Sequence, residues 1–152
     1  MSVAEIKPGV ADTSPTGKAI HRAKWSEILF RALSNRVAKR WRFVSFRGVK
    51  GGEWCGIVDI IAIRKDTAKS YDEVLRKGDL FEIILVQLKG GSADMPTHDD
   101  VQRLKAVRER YHAKEVVLFE WRQRGSKGTK TCCFSVLKGD AWSPSTAREI
   151  FG

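Results

Sequence analysis

Apolar positions recur along this chain with three distinct rhythms. From Lys18 to Ala38 the residues Ala19, Ile20, Ala23, Ile28, Leu29, Ala32, Leu33 and Val37 return at spacings of three and four, which predicts a helix with one core-facing stripe. Trp41 to Arg47 alternates in the manner of a strand, and Gly48, Gly51 and Gly52 mark a turn after it. The next two predicted strands are instead apolar on both faces: Ile57 to Arg64, paired antiparallel with the first, and Leu80 to Lys89. Such runs suit a sheet covered on both sides. Between them Lys65 to Asp79 is mostly charged and reads as an exposed loop with a helical turn at Tyr71 to Leu75.

Asp99 is the expected N-cap of a second helix reaching His112, with Val101, Leu104, Val107 and Tyr111 on one face and Arg103, Lys105, Arg108 and Arg110 on the other. A strand at Glu115 to Trp121, a basic hairpin loop at Gly125-Ser126-Lys127-Gly128 and a strand at Thr131 to Leu137 follow, and Pro144 opens a short last helix through Ile150. The expected order is therefore αβββαββα, an α/β fold with a mixed central sheet flanked by helices. A right-handed crossover through the second helix makes the third and fourth strands parallel neighbours. Residues 1–17, with Pro8, Gly9, Pro15 and Gly17, read as a flexible lead-in, and 18–152 as one domain without internal repeats.

Three polar residues interrupt the apolar strands. Asp59, Gln87 and Lys89 stand where an unpaired charge costs roughly several kcal/mol. Gln87 and Lys89 are two apart and leave a strand on the same face. If register adds Asp59, a carboxylate, an amide oxygen and an ammonium surround one small volume. Such a group fits phosphodiester hydrolysis: the oxygens suit Mg²⁺, with Mn²⁺ as a substitute, and the ammonium offsets charge on phosphate. Gly90 and Gly91 directly follow Lys89 and permit a sharp turn and a close ligand approach. The plainer readings are a buried aspartate satisfied by backbone N–H groups and a lysine that snorkels at a strand end.

Charge sharpens the picture. Lys and Arg number 28 against 18 Asp and Glu, a net charge of +10, so a polyanion is the natural partner. The 152 residues, 42% of them apolar, suffice for one core. Cys55, Cys132 and Cys133 have neither a disulfide-framework count nor a zinc spacing, and His98 and His112 have no paired metal spacing. No apolar run is long enough for a signal peptide or a membrane span, so the expected location is the cytoplasm and no membrane partner is expected. Trp25, Trp41 and Trp54 are candidate base-stacking residues or core.

A helix carrying Glu27, then Gly56-Ile57-Val58-Asp59, then Gln87-Leu88-Lys89 closing an apolar strand, then a basic helix and another strand, resembles the core of the PD-(D/E)XK nuclease superfamily over Lys18 to Trp121. The resemblance implies a restriction-endonuclease-like fold, similar to Holliday-junction resolvases, and a Mg²⁺-dependent DNA endonuclease. It implies that Asp59 and Gln87 hold the metal with the Leu88 backbone carbonyl, that Glu27 assists through water, and that Lys89 is catalytic. Here a QxK stands where the family usually has an acidic residue, so the metal would be held with less charge. Glu82 is a poor replacement, being near the other end of the strand and on its opposite face. Arg103, Lys105, Arg108, Lys127 and Lys130 are the expected DNA-contacting residues, and a homodimer is expected because one domain holds one active site. The alternatives are a catalytically inactive nucleic-acid-binding module on the same fold, and a partner protein for acidic surfaces.

Overall fold

The structure is a computed structural model that describes residues 15–46, 56–68, 73–91, 93–123 and 127–152, with backbone alone for residues 15–23. The expected lead-in up to residue 14, the turn at Gly48, Gly51 and Gly52, and Trp54, Cys55, Tyr71, Gly125 and Ser126 lie outside the described residues. Within them run α1 (Pro15–Asn35), β1 (Arg42–Ser45), β2 (Ile60–Lys65), β3 (Phe81–Gly90), α2 (His98–Tyr111), β4 (Glu115–Gln123), β5 (Lys130–Lys138), β6 (Ala141–Ser145) and α3 (Ala147–Phe151). The described strands form one six-stranded sheet in sequence order, antiparallel throughout except for the parallel β3–β4 pair. That pair is the one the crossover rule anticipates, with α2 as the connection.

The two faces of the sheet bury different helices. On one, Phe30 of α1 lies against Ile60, Ala62, Ile84, Val86, Val117 and Phe119, and Phe151 of α3 joins it. Ring edges meet ring faces here, with Phe30 centred 5.3 Å from Phe43, 5.7 Å from Phe119 and 5.8 Å from Phe151, the arrangement aromatic quadrupoles prefer. On the other face Val101 and Leu104 of α2 cover Leu85, Val116 and Leu137. Both faces being covered explains why β3 and β4 carry apolar runs instead of alternation.

Several expected boundaries move, each for a local reason. The buried side of α1 centres on Phe30, with Ser26 and Ser34 buried beside it, while Ile28, placed in the expected stripe, is 44% exposed. Helix α2 is capped by Thr97 rather than Asp99: the Thr97 hydroxyl accepts from the Asp100 N–H and the Asp100 carboxylate accepts from the Thr97 N–H, a reciprocal pairing that satisfies two otherwise orphaned donors. Pro144 does not open the last helix. It sits in β6, at the edge of the sheet, where a missing N–H is tolerated, and Thr146 caps α3 with Glu149 in the same way. The expected order αβββαββα thus gains a strand. The expected second strand also shortens, because its ladder to β3 ends at the Ile60 and Val86 pair. Asp59 therefore lies just outside β2.

Gly90, the last residue of β3, is required by packing. A Cβ there would stand 2.0 Å from Nε1 of Trp121 and 2.4 Å from Oγ of Ser26, the two atoms that form a buried 2.7 Å hydrogen bond between α1 and β4. The close approach is thus made by the protein's own core, not kept open for a ligand at this position. Gly90→Ala must displace that pair, and we expect a loss of about 1–3 kcal/mol in urea unfolding. An unchanged midpoint would show that the Trp121 indole moves without cost.

Candidate active site

Strand β3 outruns β2. Beyond Val86 its backbone groups on the β2 side have lost the ladder, and Asp59 takes over: its N–H donates to Val86 O at 2.9 Å, and its Oδ2 accepts the Leu88 N–H at 2.6 Å. In a strand the N–H and C=O of one residue leave on the same side. The Leu88 carbonyl therefore points to the Asp59 side as well. Phe46 N–H donates to the Asp59 carbonyl at 3.2 Å, which ties the same residue to the end of β1.

Gln87 and Lys89 share the face of Leu85, the α2 side. Gln87 is 5% exposed, and its Oε1 has no hydrogen-bond partner among the described residues. A buried acceptor left without a donor costs about 1–3 kcal/mol. Lys89 lies toward the N-terminus of α2, where its charge acts on Asp100. The carboxyl of Asp100 is held below its ordinary range first by the Thr97 backbone N–H; burial opposes this next, and the Thr97 hydroxyl, Lys89 and Arg103 each add a smaller lowering effect. With Asp99 it also offsets an ammonium near the positive end of a helix.

The structure thus gathers Asp59, Gln87, Leu88 and Lys89 at one end of the sheet. Glu27 stands on the α1 side, bonded through Oε1 to Arg31 Nε and through Oε2 to Ser45 Oγ, each at 3.0 Å; Ser45 pairs with Ile60, the residue after Asp59. Glu82 is distant along β3 and engaged by Arg64 and Lys114. Burial opposes its charge, but the hydrogen bond from Arg64 and the charges of Lys114 and Arg64 hold its carboxyl below the ordinary range. Among the described residues no group of three or more His, Cys, Asp or Glu side chains is disposed to hold a metal. Any metal here would rest on mixed oxygens.

The basic residues divide. Arg103 is 60% exposed, with a loose 3.9 Å pair to Asp100, and Lys127 is exposed. Lys105 is bound to Asp140 at 2.7 Å, and Arg108 donates to the carbonyls of Ala113 and Lys114 beyond the end of α2. The Lys130 ammonium lies 3.6 Å from the centre of the Trp25 ring, which gives Trp25 a cation partner. Trp41 is core, 6% exposed.

Sequence reasoning passed over Glu120. Glu120 pairs with Lys89 across β3 and β4, so the two side chains share a face. It also interrupts an apolar run, Val116 to Trp121, as Asp59 does, and that was the available signal. Among the described residues no helix is long and apolar enough to cross a membrane. No protein-family model, no curated protein and no solved structure matches this chain.

Two stability measurements follow from this geometry. Asp59→Ala strands the Leu88 N–H and should lose about 1–3 kcal/mol in urea unfolding, whereas Asp59→Asn retains an acceptor and should lose less than half as much. Equal losses would mean that the Leu88 contact does not hold the strand end. Gln87→Met removes the orphaned oxygen at similar volume and should leave the protein at least as stable as the parent; a loss above about 1 kcal/mol would reveal a partner for that oxygen.

Proposed function

We propose that this chain is a Mg²⁺-dependent DNA nuclease with a restriction-endonuclease-like core of the PD-(D/E)XK kind, in a QxK form. The observation that carries the reading is the buried Oε1 of Gln87, without a partner among the described residues, on the residue that precedes the Leu88 N–H bound by the Asp59 carboxylate and on the face of Lys89. A protein retains such a destabilising oxygen more readily where a ligand completes it. The donor set fits the expected cation. Asp59, the Gln87 amide and the Leu88 carbonyl are hard oxygens with little charge, and Mg²⁺ takes few protein ligands and keeps several waters. When bound, the ion would polarise a phosphoryl oxygen and acidify water.

The chain's own residues do the rest. The net charge of +10 draws a polyanion to the surface. Arg103 and Lys127 contact phosphates along it, and Lys89 donates to the phosphate at the reacting position, where a fixed ammonium opposes the developing negative charge. Gln87 contributes an oxygen and holds no proton. Asp59 keeps one oxygen on Leu88, so its orientation is set before substrate arrives. A mixed sheet with one parallel pair, covered by α1 on one face and α2 on the other, is consistent with such a core and supports the fold reading. Cleavage of both strands would need two copies.

A second reading, a silent nucleic-acid-binding module, draws on the same Gln87, because an amide brings the metal no charge. The two separate in a cleavage assay on plasmid, linear, single-stranded and branched DNA with Mg²⁺, Mn²⁺ or EDTA. We expect metal-dependent cutting that falls about 100-fold or more in Lys89→Ala and in Asp59→Asn, with salt-dependent DNA binding retained in both. Binding without cutting under any metal would support the silent module instead.

A further inference from the structure

Taken alone, Asp59 and Lys89 leave the site with no net charge, one carboxylate against one ammonium. A dication is poorly attracted to such a place, and the Gln87 amide does not change the balance. The neighbouring strand holds what is missing. Lys89 pairs with Glu120, and Gln87 with Leu118, across the parallel β3–β4 ladder. The Glu120 side chain therefore stands on the face of Gln87 and Lys89, one strand over and two residues further along than Gln87, a backbone separation of about 8 Å that two long side chains span.

The surroundings of Glu120 point the same way. Its side chain is only 17% exposed, yet its ion pair is to Arg122 at 3.4 Å, a long contact from a guanidinium whose own side chain is 51% exposed. Arg122 also donates to the Gly91 carbonyl at 3.1 Å, so it has a second anchor. A carboxylate so nearly enclosed gains more from a dication than from one half-exposed guanidinium at the outer limit of hydrogen-bond distance. The independent sign of a ligand is Gln87 Oε1, 5% exposed and without a partner among the described residues.

We propose that Glu120 is the second carboxylate of the metal site, binding the divalent cation together with Asp59 and Gln87 and supplying from β4 the charge that an amide on β3 does not. The oxygens then come from the β2 side, from β3 and from β4, and Arg122 remains held by Gly91 and available to phosphate. The inference rests on the metal-dependent reading above. It differs from a structural role for the Glu120 and Arg122 pair, in which losing either member has the same effect.

The test is metal binding, read by Mn²⁺ electron paramagnetic resonance and by calorimetric titration of Mn²⁺ and Mg²⁺ into the full chain, with no DNA present. Glu120→Gln should weaken Mn²⁺ binding at least about tenfold, while Arg122→Gln leaves it unchanged or tightens it. The exchange variant Gln87→Glu with Glu120→Gln returns the carboxylate to β3 and should recover most of the loss, which also guards against a Glu120→Gln variant that merely unfolds. If Glu120→Gln binds Mn²⁺ as the parent does while Asp59→Asn does not, Glu120 is no ligand and the nuclease reading stands. If Glu120→Gln and Arg122→Gln weaken binding equally, the pair is structural and the proposal falls. If the parent binds no Mn²⁺, the metal-dependent reading falls with it.

Discussion

The site depends on a mismatch of strand length. β3 has ten residues and β2 six, and their ladder stops at Val86. Past that point a buried strand still has N–H and C=O groups that need partners. The Asp59 carboxylate meets the first of them, the Leu88 N–H. This one contact places an acid beside the end of β3, on the side to which the strand geometry also turns the Leu88 carbonyl. It also explains why Asp59 is tolerated in apolar surroundings: a carboxylate that replaces a ladder acceptor is a satisfied one.

The same strand end meets a helix on each face. On the α1 side the Trp121 indole donates to Ser26 and leaves room for Gly90 and nothing larger. On the α2 side Lys89 lies toward the acidic first turn of α2. Adjacent residues of one strand thus face different helices, because successive side chains point to opposite faces. A rigid strand of this kind is a better platform for a constellation of polar groups than a loop is. Gln87 is the exception, a buried acceptor that the protein's own described residues do not satisfy, and it shares its face of the sheet with Lys89 and, through the β3–β4 register, with Glu120.

Much of the architecture was legible in the chain because it follows from local chemistry. Period-two alternation and doubly apolar runs mark β1, β3 and β4, and a helix between parallel strands dictates the crossover. The polar residues within those runs, Asp59, Gln87 and Lys89, were conspicuous for the same reason. The errors fell where two local signals competed. Asp99 and Thr97 both resemble an N-cap, and only the reciprocal bond with Asp100 selects Thr97. Pro144 suits the first turn of a helix as well as an edge strand, and the edge position was decided by pairing with Ser135.

Element types, net charge and the face shared by Gln87 and Lys89 follow from the order of residues alone, since they depend on composition and on a two-residue repeat. Which residues meet is a matter of packing between elements distant along the chain. Phe30 became the centre of the core, although Ile28 and Leu33 share its hydrophobicity, because its ring is the one that reaches Phe43, Phe119 and Phe151. Lys105, Arg108 and Lys130, alike as cations in the chain, acquired an aspartate, two carbonyls and an indole as partners. Glu120 came beside Lys89, 31 positions earlier, through the parallel register of β3 and β4. Register is set by how a whole strand packs, and a shift of one residue would have turned Glu120 to the opposite face.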